Sequence, residues 1–204
     1  MEHNKKNIKT VIFDLNGIFV QSPKLSDRFN AEFNISPEIF IPVLKEIMNK
    51  VRLPDAGDAF VYWQSYLQKW GLNLSREQFF DFWFHAEKEI PEMIALAKNI
   101  RDKGIKILIL SNNFIERVDY YEQNFNFLKE VIDRVYYSWQ TGFIKPDIRA
   151  YQKILSDYNL KPEECLYFDD SKGNIEVANQ LGIKSFIFKD VDATKKILKD
   201  CGVL

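Results

Sequence analysis

The sequence predicts an α/β fold, a three-layer doubly wound parallel sheet with a small helical cap inserted after the first strand. This prediction rests on two observations. Short apolar strands alternate with segments of helical spacing, the order that parallel strand-helix-strand units produce. The interval between the first two strands far exceeds the about 30 residues that one such unit needs, so additional helices must lie between them.

The first strand covers Thr10–Phe13 and runs directly into Asp14. Consecutive β-branched and aromatic residues indicate a strand that is buried on both faces. Asp14 then stands at the carboxyl end of the strand, where open α/β sheets bind their ligands. Gly17 follows three residues later and allows the chain to turn away sharply.

The long interval predicts a helical cap over residues 20–88 and a core made of residues 1–19 and 89–204. Its helix signals are Ser36-Pro37-Glu38, the segment Ala56–Trp70 and the capping box Ser75-Arg76-Glu77-Gln78. We interpret the many aromatic residues of this segment mainly as packing core, because a helical unit of this size needs dense aromatic contacts to hold together.

Further strands and helices alternate after the cap. The predicted strands are Ile105–Leu110, Val135–Tyr137, Cys165–Phe168 and Lys184–Phe188. The predicted helices begin at Pro91, extend over Ile148–Tyr158 and extend over Ile175–Leu181. Single helices between strands favour parallel pairing, with helices covering both faces of the sheet.

Composition and charge restrict the classes of partner. The chain has 204 residues, of which 46% are hydrophobic, and a net charge of -1. This near-neutral balance provides no general field for nucleic acid or an anionic membrane, so we expect neither as a partner. The polar stretch Met1–Asn7 does not resemble a signal peptide, and the two cysteines have no metal-ligand spacing. We therefore expect a cytoplasmic protein, either a monomer or a homodimer.

Polar side chains follow each of four predicted strands. They are Asp14, Ser111 with Asn112, Lys145, and Asp169 with Asp170. The carboxyl ends of parallel strands meet at one edge of a sheet, so we expect these groups to converge.

Crowded carboxylates repel one another, and a hard divalent cation with oxygen ligands relieves that repulsion. Mg²⁺ is the usual ion when a phosphate completes the ligand shell. Asp14 can then attack phosphorus, Ser111 and Asn112 can donate to phosphoryl oxygens, and Lys145 can neutralise charge. We therefore expect a small phosphorylated metabolite as the substrate.

Four segments resemble, in order and form, the motifs of hydrolases of the haloacid dehalogenase superfamily. They are Asp14-Leu15-Asn16-Gly17, Ser111-Asn112, Lys145-Pro146-Asp147 and Asp169-Asp170-Ser171-Lys172-Gly173-Asn174. The helical insert resembles the first-type cap of that superfamily. The stretch from Asp169 to Gly182 looks most like sugar-phosphate phosphatases and the phosphatase domain of epoxide hydrolases.

The resemblance implies a role for each matching residue. Asp14 would be the nucleophile that forms an aspartyl-phosphate. The implied Mg²⁺ ligands are Asp14, the main-chain carbonyl of Asn16 and Asp170, with Asp169 in support. The implied phosphoryl-binding groups are Ser111, Asn112 and Lys145, and Asn174 would steady the metal-binding loop.

Asn16 departs from the family pattern. Active phosphatases of the superfamily have an aspartic acid at this position, which protonates the leaving oxygen and later activates water. Asn16 has no proton to exchange, so a rate contribution of about 10²- to 10⁴-fold is at risk. Superfamily members that break carbon-halogen bonds also lack this acid, but they use no metal, and the pair Asp169-Asp170 argues against dehalogenation.

We therefore predict a Mg²⁺-dependent phosphatase, slowed by Asn16. The alternative is a phosphometabolite-binding or regulatory protein that has kept the metal site. A third possibility is that Asn16 was introduced to trap an intermediate, or that deamidation at Asn16-Gly17 converts it to aspartate. The basic residues of the cap fit a solvated surface as well as substrate recognition; they are Lys24, Arg28, Lys45, Arg52, Lys69 and Arg76.

Overall fold

The computed structural model describes residues 7–204. The expectation for the N-terminal stretch Met1–Asn7 therefore falls almost entirely outside the described residues. Within residues 7–204, no helix combines the length and the apolar character needed to cross a membrane.

A five-stranded parallel sheet forms the centre of the protein. The strands along the chain are β1 (Thr10–Phe13), β2 (Val20–Gln21), β3 (Lys88–Glu89), β4 (Lys106–Ser111), β5 (Arg134–Tyr137), β6 (Cys165–Asp169) and β7 (Lys184–Ile187). The sheet order is β5-β4-β1-β6-β7, so the chain winds outward from β1 in both directions. The predicted doubly wound parallel sheet is thus confirmed.

Helices lie between the strands and after the last one. They are α1 (Leu25–Phe33), α2 (Pro37–Val51), α3 (Ala59–Lys69), α4 (Arg76–Phe84), α5 (Pro91–Asp102), α6 (Ile115–Asn124), α7 (Phe127–Glu130), α8 (Ser138–Thr141), α9 (Ile148–Asp157), α10 (Lys172–Gln180) and α11 (Val191–Asp200). Pro91 occupies the first turn of α5, as the sequence predicts.

The alternation of side chains along β1 divides the core into two layers. Val11 and Phe13 join the hydrophobic cluster that α5, α6 and α11 cover. Ile12, between them, joins the cluster under α9 and α10 on the other face. All three side chains are fully buried or nearly so, which accounts for the uninterrupted apolar run.

Helices α1–α4, here called the helical insert, pack around an aromatic cluster of their own. Phe29, Phe40, Trp63 and Phe79 are completely buried in it. The ring centroids of Phe40 and Trp63 lie 5.5 Å apart in a stacked arrangement. The interpretation of these aromatic residues as packing core is therefore correct for the centre of the cluster.

Two features at the N-terminal ends of helices hold the insert in place. The Ser75 hydroxyl accepts a hydrogen bond from the Gln78 N–H, and the Gln78 side chain accepts one from the Ser75 N–H, which is the predicted capping box of α4. The N–H of Ala59, in the first turn of α3, donates to the Glu116 carboxylate of α6 at 2.8 Å. This second bond ties the insert to the sheet-bearing part of the chain.

The ends of the insert are joined by a two-stranded ribbon that the sequence did not reveal. Val20 pairs with Glu89 and Gln21 with Lys88 in antiparallel register. Each strand has only two residues, too few to produce an alternating pattern. The chain leaves and re-enters the sheet-bearing part at this ribbon.

Candidate active site

Two acids and a serine meet at the carboxyl edge of the sheet. Asp14 follows β1 directly, Ser111 ends β4 and Asp169 ends β6. Because β1 lies between β4 and β6, these residues occupy adjacent positions. The Asp14 N–H continues the ladder by donating to Phe168 O at 2.9 Å. The predicted convergence of strand ends is what the topology produces.

Lys145 joins two of the acids. Its Nζ lies 2.8 Å from Asp14 Oδ1 and 2.7 Å from Asp169 Oδ2. Burial alone would lower the pKa of this lysine, but the two carboxylates raise it above its ordinary value. Lys145 is therefore a fixed cation beside Asp14.

The Asn112 carboxamide forms two hydrogen bonds with the main chain of Lys145. Asn112 Nδ2 donates to Lys145 O at 2.8 Å, and the Lys145 N–H donates to Asn112 Oδ1 at 2.7 Å. The carboxamide of Asn112 is thus occupied in positioning the lysine. Its main-chain N–H is not part of this pairing, so it is the group of Asn112 that can donate to a phosphoryl oxygen.

The three carboxylates differ in their surroundings. Asp169 is fully buried and accepts hydrogen bonds from Tyr167, the Ser171 N–H and Asn174 Nδ2 as well as from Lys145. Burial alone would raise its pKa, but Lys145 and these donors lower it. Asp169 is therefore ionised and held firmly in place.

Asp14 and Asp170 have fewer partners. Burial raises the pKa of Asp14, with repulsion from Asp169 adding to the effect and Lys145 opposing it. Burial and repulsion from Asp169 also raise the pKa of Asp170. Oxygen atoms of all three carboxylates lie within 4.8 Å of one another. A divalent cation would relieve this repulsion, and the all-oxygen donor set fits Mg²⁺.

Gly17 permits the close approach of Asp170. Its backbone has φ of +85°, and a Cβ built at this position would lie 3.3 Å from Asp170 Oδ2. Both the conformation and the space favour the absence of a side chain. The glycine of the Asp14-to-Gly17 segment therefore shapes the carboxylate cluster directly.

The Ser111 hydroxyl is a buried group without a partner. Its Oγ makes no hydrogen bond to any described residue. An orphaned buried hydroxyl is costly, and a phosphoryl oxygen beside Asp14 would satisfy it. This observation and the carboxylate cluster fit the predicted pairing of a phosphate with a divalent cation.

Asn16 lies in a polar network that the sequence did not reveal. Its Nδ2 donates to Tyr121 Oη at 2.6 Å and to Ser22 Oγ at 3.3 Å. Arg117 donates to the same Ser22 Oγ at 2.9 Å and forms a buried ion pair with Glu87. These partners come from three separate segments, so only the spacing of Arg117 and Tyr121, one helical turn apart on α6, could have hinted at a shared site.

A cavity of about 360 Å³ opens over these groups. Asp14, Asn16, Lys145 and Asp170 line one part of it. Arg52, at the end of α2, also lines it. The helical insert therefore contributes a side chain to the same cavity as the strand-end residues.

Comparison with known proteins identifies the family. The model of the haloacid dehalogenase-like hydrolase family matches residues 8–182. The chain is similar to bifunctional epoxide hydrolase 2 of Rattus norvegicus, with 26% identity over 52% of this chain and 20% of that protein. It is also similar to a phosphatase of Mycobacterium tuberculosis, with 29% identity over 48% of this chain and 45% of that protein. The chain spans only 10% to 24% of the length of the first four curated relatives.

A solved structure has the same fold over nearly the whole chain. It is a HAD-family enzyme of Bacteroides thetaiotaomicron, with 21% sequence identity, a TM-score of 0.76 and coverage of 90% of this chain and 94% of that one. That enzyme has also been crystallised in complex with magnesium and inorganic phosphate. Because the family model matches residues 8–182, most of the chain, this chain is a member of the haloacid dehalogenase-like hydrolase family.

Proposed function

We propose that the protein is a Mg²⁺-dependent phosphatase that hydrolyses a small phosphorylated metabolite through an aspartyl-phosphate at Asp14. The observation that carries this proposal is the position of Asp14, with Lys145 Nζ at 2.8 Å and two further acids whose oxygens lie within 4.8 Å. A carboxylate nucleophile beside a fixed cation and a metal-binding acid cluster suits phosphoryl transfer.

In the first step, an Asp14 carboxylate oxygen attacks phosphorus and the bond from phosphorus to the leaving oxygen breaks. In the second step, water attacks the phosphorus of the aspartyl-phosphate, which releases inorganic phosphate and restores Asp14. The Mg²⁺ ligands would be Asp14, the main-chain carbonyl of Asn16 and Asp170, with Asp169 in support. When bound, the ion supplies positive charge that offsets the carboxylates and the phosphoryl oxygens.

Three residues bind the phosphoryl group in this proposal. Ser111 donates its otherwise unpartnered hydroxyl to a phosphoryl oxygen, and Asn112 donates its main-chain N–H. Lys145 balances the charge that nucleophile and phosphate share. The Asn112 carboxamide acts indirectly, because it fixes the main chain of Lys145.

Asn16 makes hydrolysis slow for substrates with poor leaving groups. Its carboxamide can donate a hydrogen bond but cannot exchange a proton, so a factor of about 10² to 10⁴ is lost. Tyr121, its nearest partner, does not replace the missing acid. Burial raises the pKa of the Tyr121 phenol above its ordinary value, which makes it a weaker acid. The leaving oxygen therefore takes its proton from water.

Residues 20–88 act as a cap domain over a core of residues 1–19 and 89–204. The aromatic cluster of the helical insert gives this segment its own packing, and the β2-β3 ribbon joins it to the core. Arg52 links the insert to the cavity above Asp14. This arrangement supports a role for the insert in selecting the substrate.

Turnover of p-nitrophenyl phosphate tests the proposal, because its leaving group needs little protonation. We expect Mg²⁺-dependent release of nitrophenol by the wild-type chain and none by Asp14→Asn. An Asp192→Asn control removes an exposed carboxylate on α11 and should keep the activity. Equal turnover by Asp14→Asn and the wild type would overturn the assignment of the nucleophile.

A second candidate function is favoured by Asn16 itself. A protein that has kept the metal site and lost the acid could bind a phosphometabolite as a regulator. Mg²⁺-dependent binding of a sugar phosphate without any release of phosphate, in both the wild type and Asn16→Asp, would favour this alternative. Dehalogenation remains disfavoured, because Asp169 and Asp170 form an acid pair that such chemistry does not use.

Deamidation of Asn16 is opposed by its surroundings. The succinimide route needs the Gly17 main-chain nitrogen to attack the Asn16 side chain. That N–H donates to Val20 O at 2.8 Å, and the carboxamide is held by Tyr121. Peptide mapping across residues 8–20 should therefore find asparagine, and a substantial aspartate fraction would contradict this expectation.

A further inference from the structure

Arg52 is a largely buried cation that faces the cavity from the helical insert. It follows α2 directly and lines the cavity together with Asp14 and Lys145. In the sequence it is one of several basic residues of the insert, with no feature to separate it from the others. Its position in the cavity sets it apart from Lys50, two residues earlier, whose side chain is half exposed and pairs with Glu46 at 2.8 Å.

The guanidinium of Arg52 lacks the partners that buried cations need. Its Nε is buried and makes no hydrogen bond to the described residues, and none of their carboxylates lies within 4.0 Å of the group. Arg117, the other guanidinium of the cavity, is paired with Glu87 and donates to Ser22. A partly buried cation without an acidic partner is less stable than a paired one, and an anionic ligand would compensate its charge.

Electrostatics support the same distinction. Burial and repulsion from Arg117 lower the pKa of Arg52 to about 10, and attraction to Asp14 opposes this shift. The side chain is still cationic at neutral pH. Two guanidinium groups face one small cavity, and within residues 7–204 only that of Arg117 has an acidic partner.

The position of Arg52 indicates which part of a ligand it would meet. The proposed phosphoryl site lies at the strand ends, around Asp14 and Lys145. Arg52 belongs to the insert and not to the strand ends, so in the proposed site it would meet the part of the substrate that leaves with the alcohol. A guanidinium binds carboxylate or phosphate through paired hydrogen bonds, a geometry that a neutral sugar hydroxyl does not use.

We propose that Arg52, with Arg117 beside it, forms a second anion-binding site, and that the substrate is a small phosphate monoester carrying another anionic group on its leaving-group side. The proposal rests on the proposed phosphatase function and narrows its substrate class. The second group is a carboxylate or a second phosphate, which share the chemistry that Arg52 would recognise.

Two matched pairs of substrates test the proposal in the presence of Mg²⁺. 3-Phosphoglycerate and glycerol 3-phosphate differ by a carboxylate, and fructose 1,6-bisphosphate and fructose 6-phosphate differ by a phosphate. We expect kcat/KM to be about 10- to 100-fold higher for the doubly anionic member of at least one pair, the range of a charged hydrogen-bonded contact. The pair that shows the preference identifies the second group.

Arg52→Gln should remove most of that preference, and Arg52→Lys should retain part of it. Lys50→Gln removes one positive charge from the last turn of the same helix and serves as the matched control, with an unchanged preference. Thermal unfolding of all variants separates loss of the anion site from loss of folding. A merely structural role of Arg52 would lower kcat/KM equally within each pair.

Two results would overturn the proposal. One is a preference below about threefold in both pairs for the wild type. The other is an equal loss within a pair in Arg52→Gln, which would indicate either a structural role or contact with the transferred phosphoryl group. Turnover of p-nitrophenyl phosphate reports separately on the phosphatase function. If the wild type turns over none of these compounds, the phosphatase function fails, and the ratio of Kd values from calorimetric titration of the same pairs tests the anion site.

Discussion

Asn16→Asp should convert a slow phosphatase into a faster one. The substitution replaces the Asn16 Nδ2 group with an oxygen of nearly the same size. This Nδ2 donates to Tyr121 Oη at 2.6 Å and to Ser22 Oγ at 3.3 Å. Both hydroxyls can rotate to donate instead of accept, so the new carboxylate keeps its partners. We therefore expect little loss of stability.

The expected gain follows from the surroundings of residue 16. General acid-base catalysis contributes about 10²- to 10⁴-fold. Two hydroxyl donors and the nearby Arg117 would favour the ionised carboxylate, so a smaller fraction of the enzyme would hold the protonated acid. The gain in kcat/KM should therefore lie at the lower end, about 10²-fold, for an alkyl phosphate such as glycerol 3-phosphate. For p-nitrophenyl phosphate it should be less than about tenfold, since its leaving group needs little protonation.

The assay compares kcat/KM for both substrates in the wild type, Asn16→Asp and Asn16→Ala. The alanine variant keeps the main-chain carbonyl but has no carboxyl group, so it should not gain activity. A gain of less than about twofold for the alkyl phosphate in Asn16→Asp would refute the reasoning. In that case the proton would come from another group, and Asn16 would not limit the reaction.

Other predictions concern the carboxylate cluster. Lys145→Met should abolish turnover. It should also lower the free energy of unfolding by about 3 to 5 kcal/mol in urea titrations, because Asp14 and Asp169 would lose their buried cation. A loss below about 1 kcal/mol would contradict this prediction. Gly17→Ala should cost about 1 to 2 kcal/mol, since φ is +85°, and should weaken Mg²⁺ binding through contact with Asp170, as calorimetry would measure. Chelation of the metal with EDTA should stop turnover. Mg²⁺ at about 100 times its Kd should stabilise the folded wild type by about 2.7 kcal/mol. A Tm that does not respond to Mg²⁺ would count against the metal site.

The strand ends could be predicted because the residues around them have strong local signals. β1 and β6 are continuous apolar runs that stop at Asp14 and Asp169, and parallel topology alone brings these acids together. The capping box at Ser75 is a similar case, since both of its partners lie within one turn of helix. Local patterns of this kind can be read from the sequence, because the residues that form them are close together along the chain.

The remainder of the site depends on contacts between distant segments. Arg52 directly follows an amphipathic helix, and nothing in the local pattern separates a surface arginine from one that enters a cavity. The Arg117-Glu87 pair joins α6 to the loop before β3, and the Asn112 carboxamide binds the main chain of a residue far along the sequence. Tertiary packing brings these residues together, so a single sequence does not reveal their contacts.

The central claim is that Asp14 carries the phosphoryl group during turnover. The most direct measurement is acid quenching of the wild type during turnover of p-nitrophenyl phosphate with Mg²⁺, followed by mass mapping of the peptide that contains Asp14. Because Asn16 cannot activate water, hydrolysis of the aspartyl-phosphate should be slow and the intermediate should accumulate. The account predicts one phosphoryl group on this peptide at Asp14, absent from Asp14→Asn. Continuous turnover with no phosphoryl group on Asp14, or with the group on another residue, would contradict it.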